Sequence, residues 1–191
     1  MLKWFIHIAV FMLFAVSCGG MGKNESGGEG GNANLTREEA TTVYSIVSSI
    51  ISQVFNDTKS GVESAELNGE PGAEYGDFEY DTDTGELKGI EESPDDGMAE
   101  YYGKYNSDHK ISYSYDIEVV LVDWKNADAG VLLNGIIDVS LNVDGENFDW
   151  VFKGSIKAEG EINATVEIDI NYDSDGHSES TAGGYDISEE A

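Results

Sequence analysis

Between Ile111 and Tyr172, apolar and polar residues alternate with a period of two through four successive segments. Ile111, Tyr113, Tyr115, Ile117, Val119 and Leu121 alternate with Ser112, Ser114, Asp116 and Glu118. Val131, Leu133, Gly135, Ile137, Val139, Leu141 and Val143 form the second segment. Phe148, Trp150, Phe152, Gly154, Ile156 and Ala158 form the third, and Ile162, Ala164, Val166, Ile168, Ile170 and Tyr172 the fourth. Successive side chains of a strand point to opposite faces, so each segment predicts a strand with one buried and one wet face. The intervening stretches 125–130, 144–147 and 159–161 are short enough for antiparallel hairpins. Pairing Val143 with Phe148 sets Leu141 against Trp150 and Gly135 against Ile156. Pairing Ala158 with Ile162 sets Ile156 against Ala164 and Phe152 against Ile168. A slip of one residue would turn a strand inside out, so this agreement of faces supports a meander. Strands of such length, ~36 to 46 Å, twist strongly and curl. Gly135 and Gly154 fall on the inner face, where a missing side chain permits a bend or a close approach by a helix.

One helical stripe precedes the strands. Thr36-Arg37-Glu38-Glu39 is a capping-box pattern, and Ala40, Val43, Ile46, Val47, Ile50, Ile51, Val54 and Phe55 then recur at helical spacing. Ser45, Ser48, Ser49, Ser52 and Gln53 take the other side, which predicts an amphipathic helix over 36–56. Its many β-branched residues lower its intrinsic propensity, so it needs a partner surface, and the apolar sheet face supplies one. Between 57 and 108, Phe78, Tyr80 and Thr82 lead into Asp81-Thr82-Asp83-Thr84-Gly85, with Leu87 and Ile90 beyond, which predicts a hairpin. Tyr101, Gly103 and Tyr105 suit a short strand returning onto Ile111 to Tyr115. The predicted fold class is α+β and mainly β: a curved antiparallel meander with one N-terminal amphipathic helix on its inner face.

The amino terminus adds a different picture. Met1-Leu2-Lys3 precedes a nearly unbroken apolar run from Trp4 to Val16. That run of about 13 residues falls short of the roughly 20 that a spanning helix needs and suits a secretory signal. Its end, Ala15-Val16-Ser17-Cys18, resembles the lipobox of bacterial lipoproteins. The resemblance covers residues 1–18 alone and implies cleavage before Cys18 and acylation of that cysteine. Multiple acyl chains hold a protein stably to a membrane where one does so only marginally. Gly19 after the cysteine implies the outer membrane if the source is Gram-negative. Glycines at 19, 20, 22, 27, 28, 30 and 31 among Ser, Asn and Glu make a flexible tether with a root-mean-square span of roughly 23 Å. The expected organisation is a signal peptide over 1–17, a tether over 18–35, a helix-plus-sheet domain over 36–172 and an acidic polar tail over 173–191.

Charge narrows the partners. The 191 residues carry 10 Lys plus Arg against 38 Asp plus Glu, a net charge of -28, which repels nucleic acid and anionic lipid surfaces. The same balance favours solubility and attracts cations or basic partners. A single cysteine excludes an internal disulfide framework. Beyond residue 18 the histidines are His109 and His177, and no G-x-S-x-G, H-E-x-x-H or C-x-x-C pattern occurs. Asn171-Tyr172-Asp173-Ser174-Asp175-Gly176 resembles the opening of an EF-hand loop, which nominates Asp173 and Asp175 for weak calcium binding. It departs from that pattern with Asn171 in first place and Ala182 where a bidentate Glu belongs. The expected function is a non-enzymatic envelope lipoprotein, held to the membrane through acylated Cys18 and serving an unidentified envelope protein or ligand. The rival is a carrier of hydrophobic ligands, with a cavity between curved sheet and helix, by analogy of fold with the periplasmic lipoprotein-localisation carriers.

Overall fold

The computed structural model describes residues 35–68, 73–75, 77–107, 112–175 and 178–188. The expected signal peptide, Cys18 and all of the tether but Leu35 lie outside them. The described residues form one helix, α1 (Arg37–Asn68), and ten strands. These are β1 (Ala73–Tyr75), β2 (Phe78–Tyr80), β3 (Glu86–Glu92), β4 (Met98–Ser107), β5 (Ser112–Asn126), β6 (Val131–Asp144), β7 (Asn147–Gly160), β8 (Ala164–Asp173), β9 (Ser178–Ala182) and β10 (Tyr185–Asp186). They make one open sheet in sequence order, every neighbouring pair antiparallel.

The capping box forms as the sequence predicts. The Glu39 N–H donates to Thr36 Oγ1 at 3.2 Å, and the Thr36 N–H donates back to Glu39 Oε2 at 2.7 Å. The Thr36 N–H and hydroxyl both donate to Glu39 Oε2 and hold the carboxyl below its ordinary range. Leu35, assigned to the tether by its neighbours, is buried, and its carbonyl accepts the Tyr185 hydroxyl at 2.7 Å. The helix runs well past residue 56, because Thr58, Gly61, Val62 and Ala65 continue the buried stripe. Ser48, expected on the wet side, is also buried. Val43, Val47, Ile50, Ile51 and Val54 share one core with strand residues such as Val119, Leu133, Ile137, Ile156 and Ile168. The Tyr44 and Phe152 rings stack at 6.1 Å within it.

The strand registers decide which expectations hold. Val143 pairs with Phe148, Leu141 with Trp150 and Gly135 with Ile156, as the pattern requires. The next hairpin is two residues longer than expected: Ala158 meets Ala164, Ile156 meets Val166 and Phe152 meets Ile170. Asn163 makes the difference, its Nδ2 donating to the Gly160 carbonyl at 2.6 Å across a wider turn. A shift of two leaves every face where it was, and Ile162 stays buried in the turn. At the far end Tyr172, expected on the inner face, is exposed.

In β5 the alternation lapses at Val122-Asp123 because of a β-bulge. Leu121 pairs with Gly135 and Trp124 with Leu133, so three steps on β5 answer two on β6. Asp123 takes the left-handed conformation at φ 49, and its N–H donates to Asn134 Oδ1 at 2.9 Å. The extra residue returns Trp124 to the core. Gly135 and Gly154 admit a close approach, but by the neighbouring strand rather than the helix. A Cβ on Gly135 would strike the Ser155 carbonyl, and one on Gly154 the Ile136 carbonyl.

The expected polar tail over 173–191 is corrected in part. Thr181-Ala182-Gly183-Gly184-Tyr185-Asp186 closes a hairpin whose two glycines stand at φ 57 and 85, the geometry of a tight two-residue turn. Ala182 and Ile187 are fully buried there, so this stretch belongs to the domain.

Candidate functional site

The chemistry-bearing residues gather where the second half of α1 faces β2, β3 and β4. A cleft of about 450 Å³ opens there, lined by Asp57, Ser60, Gly61 and Ser64 of the helix, by Asp77 and Phe78, by Ile90, Glu91 and Glu92, and by Tyr101. Two glycines shape it. Gly61 lies so close to the Phe78 ring that a Cβ would collide with it. Gly89 pairs with Tyr101 across the strands, and the Tyr101 ring folds over the space that its missing side chain leaves.

Electrostatics concentrate on one pair. Burial, a hydrogen bond with Asp57, and the charges of Asp57 and Glu92 together push the Glu91 carboxyl up to about 7. The neighbouring negative charge of Asp57 disfavours the ionised form of Glu91. The Tyr101 hydroxyl is pushed up to about 12, first by burial and then by the charges of Asp57 and Glu91. No histidine, lysine or cysteine is among the described residues lining the cleft. The arrangement can hold and release a proton near neutral pH and can donate hydrogen bonds from protonated Glu91. Sequence reasoning could not have found this pair. Among 38 acidic residues, Asp57 and Glu91 carry no signal of their meeting.

A second cluster is aromatic. Phe55 of α1 lies 5.5 Å edge-on to Tyr115 and 5.1 Å from Trp150. Tyr105 sits among Tyr80 (6.2 Å), Tyr113 (6.5 Å) and Tyr115 (4.8 Å). Burial pushes the Tyr105, Tyr113 and Tyr115 hydroxyls up, and neighbouring tyrosines add to the effect at Tyr105 and Tyr115. Phe55, Tyr105, Tyr113, Leu141 and Trp150 are only partly buried, so the cluster reaches the surface. The Trp150 indole nitrogen is enclosed without a hydrogen-bond partner.

The nominated calcium residues lie elsewhere. Asp173 ends β8 opposite Asp149, and its Oδ1 accepts the Asp175 N–H at 2.9 Å. That is an Asx turn, reinforced by the Ser174 N–H donating to the Phe148 carbonyl at 2.9 Å. Asn171 faces Glu179 on the neighbouring strand, while Gly176 and His177 lie outside the described residues. Among the described residues no three His, Cys, Asp or Glu side chains are grouped to hold a metal ion. Cys18, the lipidation candidate, is likewise outside them. No described helix is long and apolar enough to cross a membrane. Compared with protein-family models, with curated proteins and with solved structures, the chain finds no match.

Proposed function

We propose that this chain is a lipid-anchored envelope lipoprotein whose β-rich body has a non-catalytic binding or structural role. The observation that carries the reading is Ala15-Val16-Ser17-Cys18 at the end of the apolar run. The buried Leu35, tied down by Tyr185, gives the glycine-rich tether a fixed point of attachment to the body. We read the sheet as curved about α1, with the helix on its inner side. The helix backbone comes closest to β2 and β3 near one end of the strand order and to β8 and β9 near the other. The middle strands reach it through long side chains such as Tyr115, Trp150 and Phe152. A sheet near the helix at both flanks and farther in the middle is concave toward it.

The test is phase separation of whole cells in a cloud-point detergent, comparing the parent with Cys18→Ser. The parent is expected in the detergent phase with an acylated N-terminal peptide by mass spectrometry, and the variant in the aqueous phase. Recovery of the parent without detergent, with Cys18 unmodified, overturns the anchor.

The carrier reading draws support from the partly exposed rings around Phe55 and from the unpartnered Trp150 indole. Lipid in an organic extract of the purified protein favours it, and a clean extract favours the plain binding module.

A further inference from the structure

The outward face of the sheet carries a hollow separate from the acidic cleft. It spans β4 to β7 with a volume of about 450 Å³. Strand backbone at Gly103, Ile117 and Val139 supplies its floor, the Ile117 and Val139 side chains being buried on the other face, and Val151 and the Tyr102 ring flank it. At Gly103, β4 and β5 approach so closely that a Cβ would run into the Asp116 carbonyl. Asp116, Glu118 and Asp138 stand on the rim. Tyr102 is 51% exposed, and its hydroxyl donates to Glu118. Lys153, in register with Asp138, turns instead to Asp169 at 2.9 Å, which leaves the Glu118–Asp138 side negative. Next to the hollow, Val120 pairs directly with Ile136, which is 49% exposed.

We propose that this hollow docks a cationic segment of a partner polypeptide, with an Arg or Lys stem against Val151 and the Tyr102 ring and its charge against the Glu118–Asp138 rim. A second copy of a chain of net charge -28 is repelled here, as are anionic lipid and nucleic acid. An apolar flank beside an acidic rim matches side chains that combine a long aliphatic stem with a positive head. Tyr102 offers such a head its ring face, and the rim carboxylates offer charge-assisted hydrogen bonds. The proposal rests on the binding role given above, but not on the anchor.

A fluorescein-labelled peptide alternating arginine and valine is titrated into the full chain in detergent micelles at about 0.15 M salt, where long-range attraction is screened within ~8 Å. Saturable binding is expected, weakened roughly tenfold by Glu118→Gln with Asp138→Asn and also weakened by Tyr102→Ser. Asp128→Asn with Glu146→Gln removes the same charge from exposed turns and is expected to change affinity by less than about twofold. Equal weakening by the two pairs, or no saturable binding, overturns the proposal. Because the micelle holds the protein with or without acyl chains, a failed anchor and a failed docking site give different results.

Discussion

Replacing Glu91 with Gln tests the paired carboxyls at the helix–sheet cleft. In the folded chain Glu91 titrates near 7, against 4.5 for an unperturbed glutamate. Below 4.5 it is protonated in both the folded and the unfolded chain, and its proton bridges to Asp57. Between 4.5 and 7 the folded chain holds a proton that the unfolded chain has lost, so stability falls as pH rises through that window. The full shift would correspond to about 3 kcal/mol. Glu91 is only partly buried and Asp57 is exposed, so solvent screening reduces the expected effect to about 1 kcal/mol. Gln at position 91 imitates the protonated form, since its amide can donate to Asp57 at every pH. Urea unfolding at constant ionic strength is then expected to give nearly equal stabilities at about pH 4, with the variant ahead by about 1 kcal/mol at about pH 8. The general loss of stability from self-repulsion of a strongly acidic chain cancels to first order in the difference. Asp57→Asn is expected to act in the same direction, and the double variant to gain less than the sum of the two. Parallel pH profiles for parent and variant, or a gap that opens on acidification, would refute the raised titration of Glu91.

Gly61→Ala adds a methyl group where the Phe78 ring already sits. The resulting strain, on the order of 1–3 kcal/mol, outweighs the roughly 1 kcal/mol gained in helix propensity, so a lower melting temperature is expected. Ile137→Ala empties a fully buried position at the centre of β6 and is expected to cost about 2–5 kcal/mol in urea unfolding. If Asp173 and Asp175 bind calcium, a millimolar titration will evolve heat that Asp173→Asn abolishes; a flat trace removes the idea.

How much of this was legible beforehand depended on whether a feature was local. The hairpin register at Val143–Phe148 and Gly135–Ile156 follows from alternation together with the short connection at 144–147, because alternation fixes the facing and leaves shifts of two open. The Gly183-Gly184 turn carried a local signal too, but the polar residues around it argued for a tail, and only packing against Leu35 and Ala40 reveals the buried side. The bulge at Asp123 broke the period that identifies a strand, so the alternation read from the sequence stops at Leu121 and leaves Trp124 unassigned. The second half of α1 was hidden for a related reason. Thr58, Gly61 and Ala65 are weakly apolar, and they are buried because β2 lies over them.

The sequence by itself determined the order of the four long strands, most of their faces, the helix start and the nomination of Cys18, since each rests on neighbouring residues or on a fixed period. Tertiary structure alone decided that Asp57 meets Glu91, that strand pairing sets Glu118 and Asp138 around a hollow beside Tyr102, and that the chain beyond residue 173 returns to the sheet. Those outcomes join residues far apart in the chain, and their energies depend on distances and burial that exist only once helix and sheet have packed together.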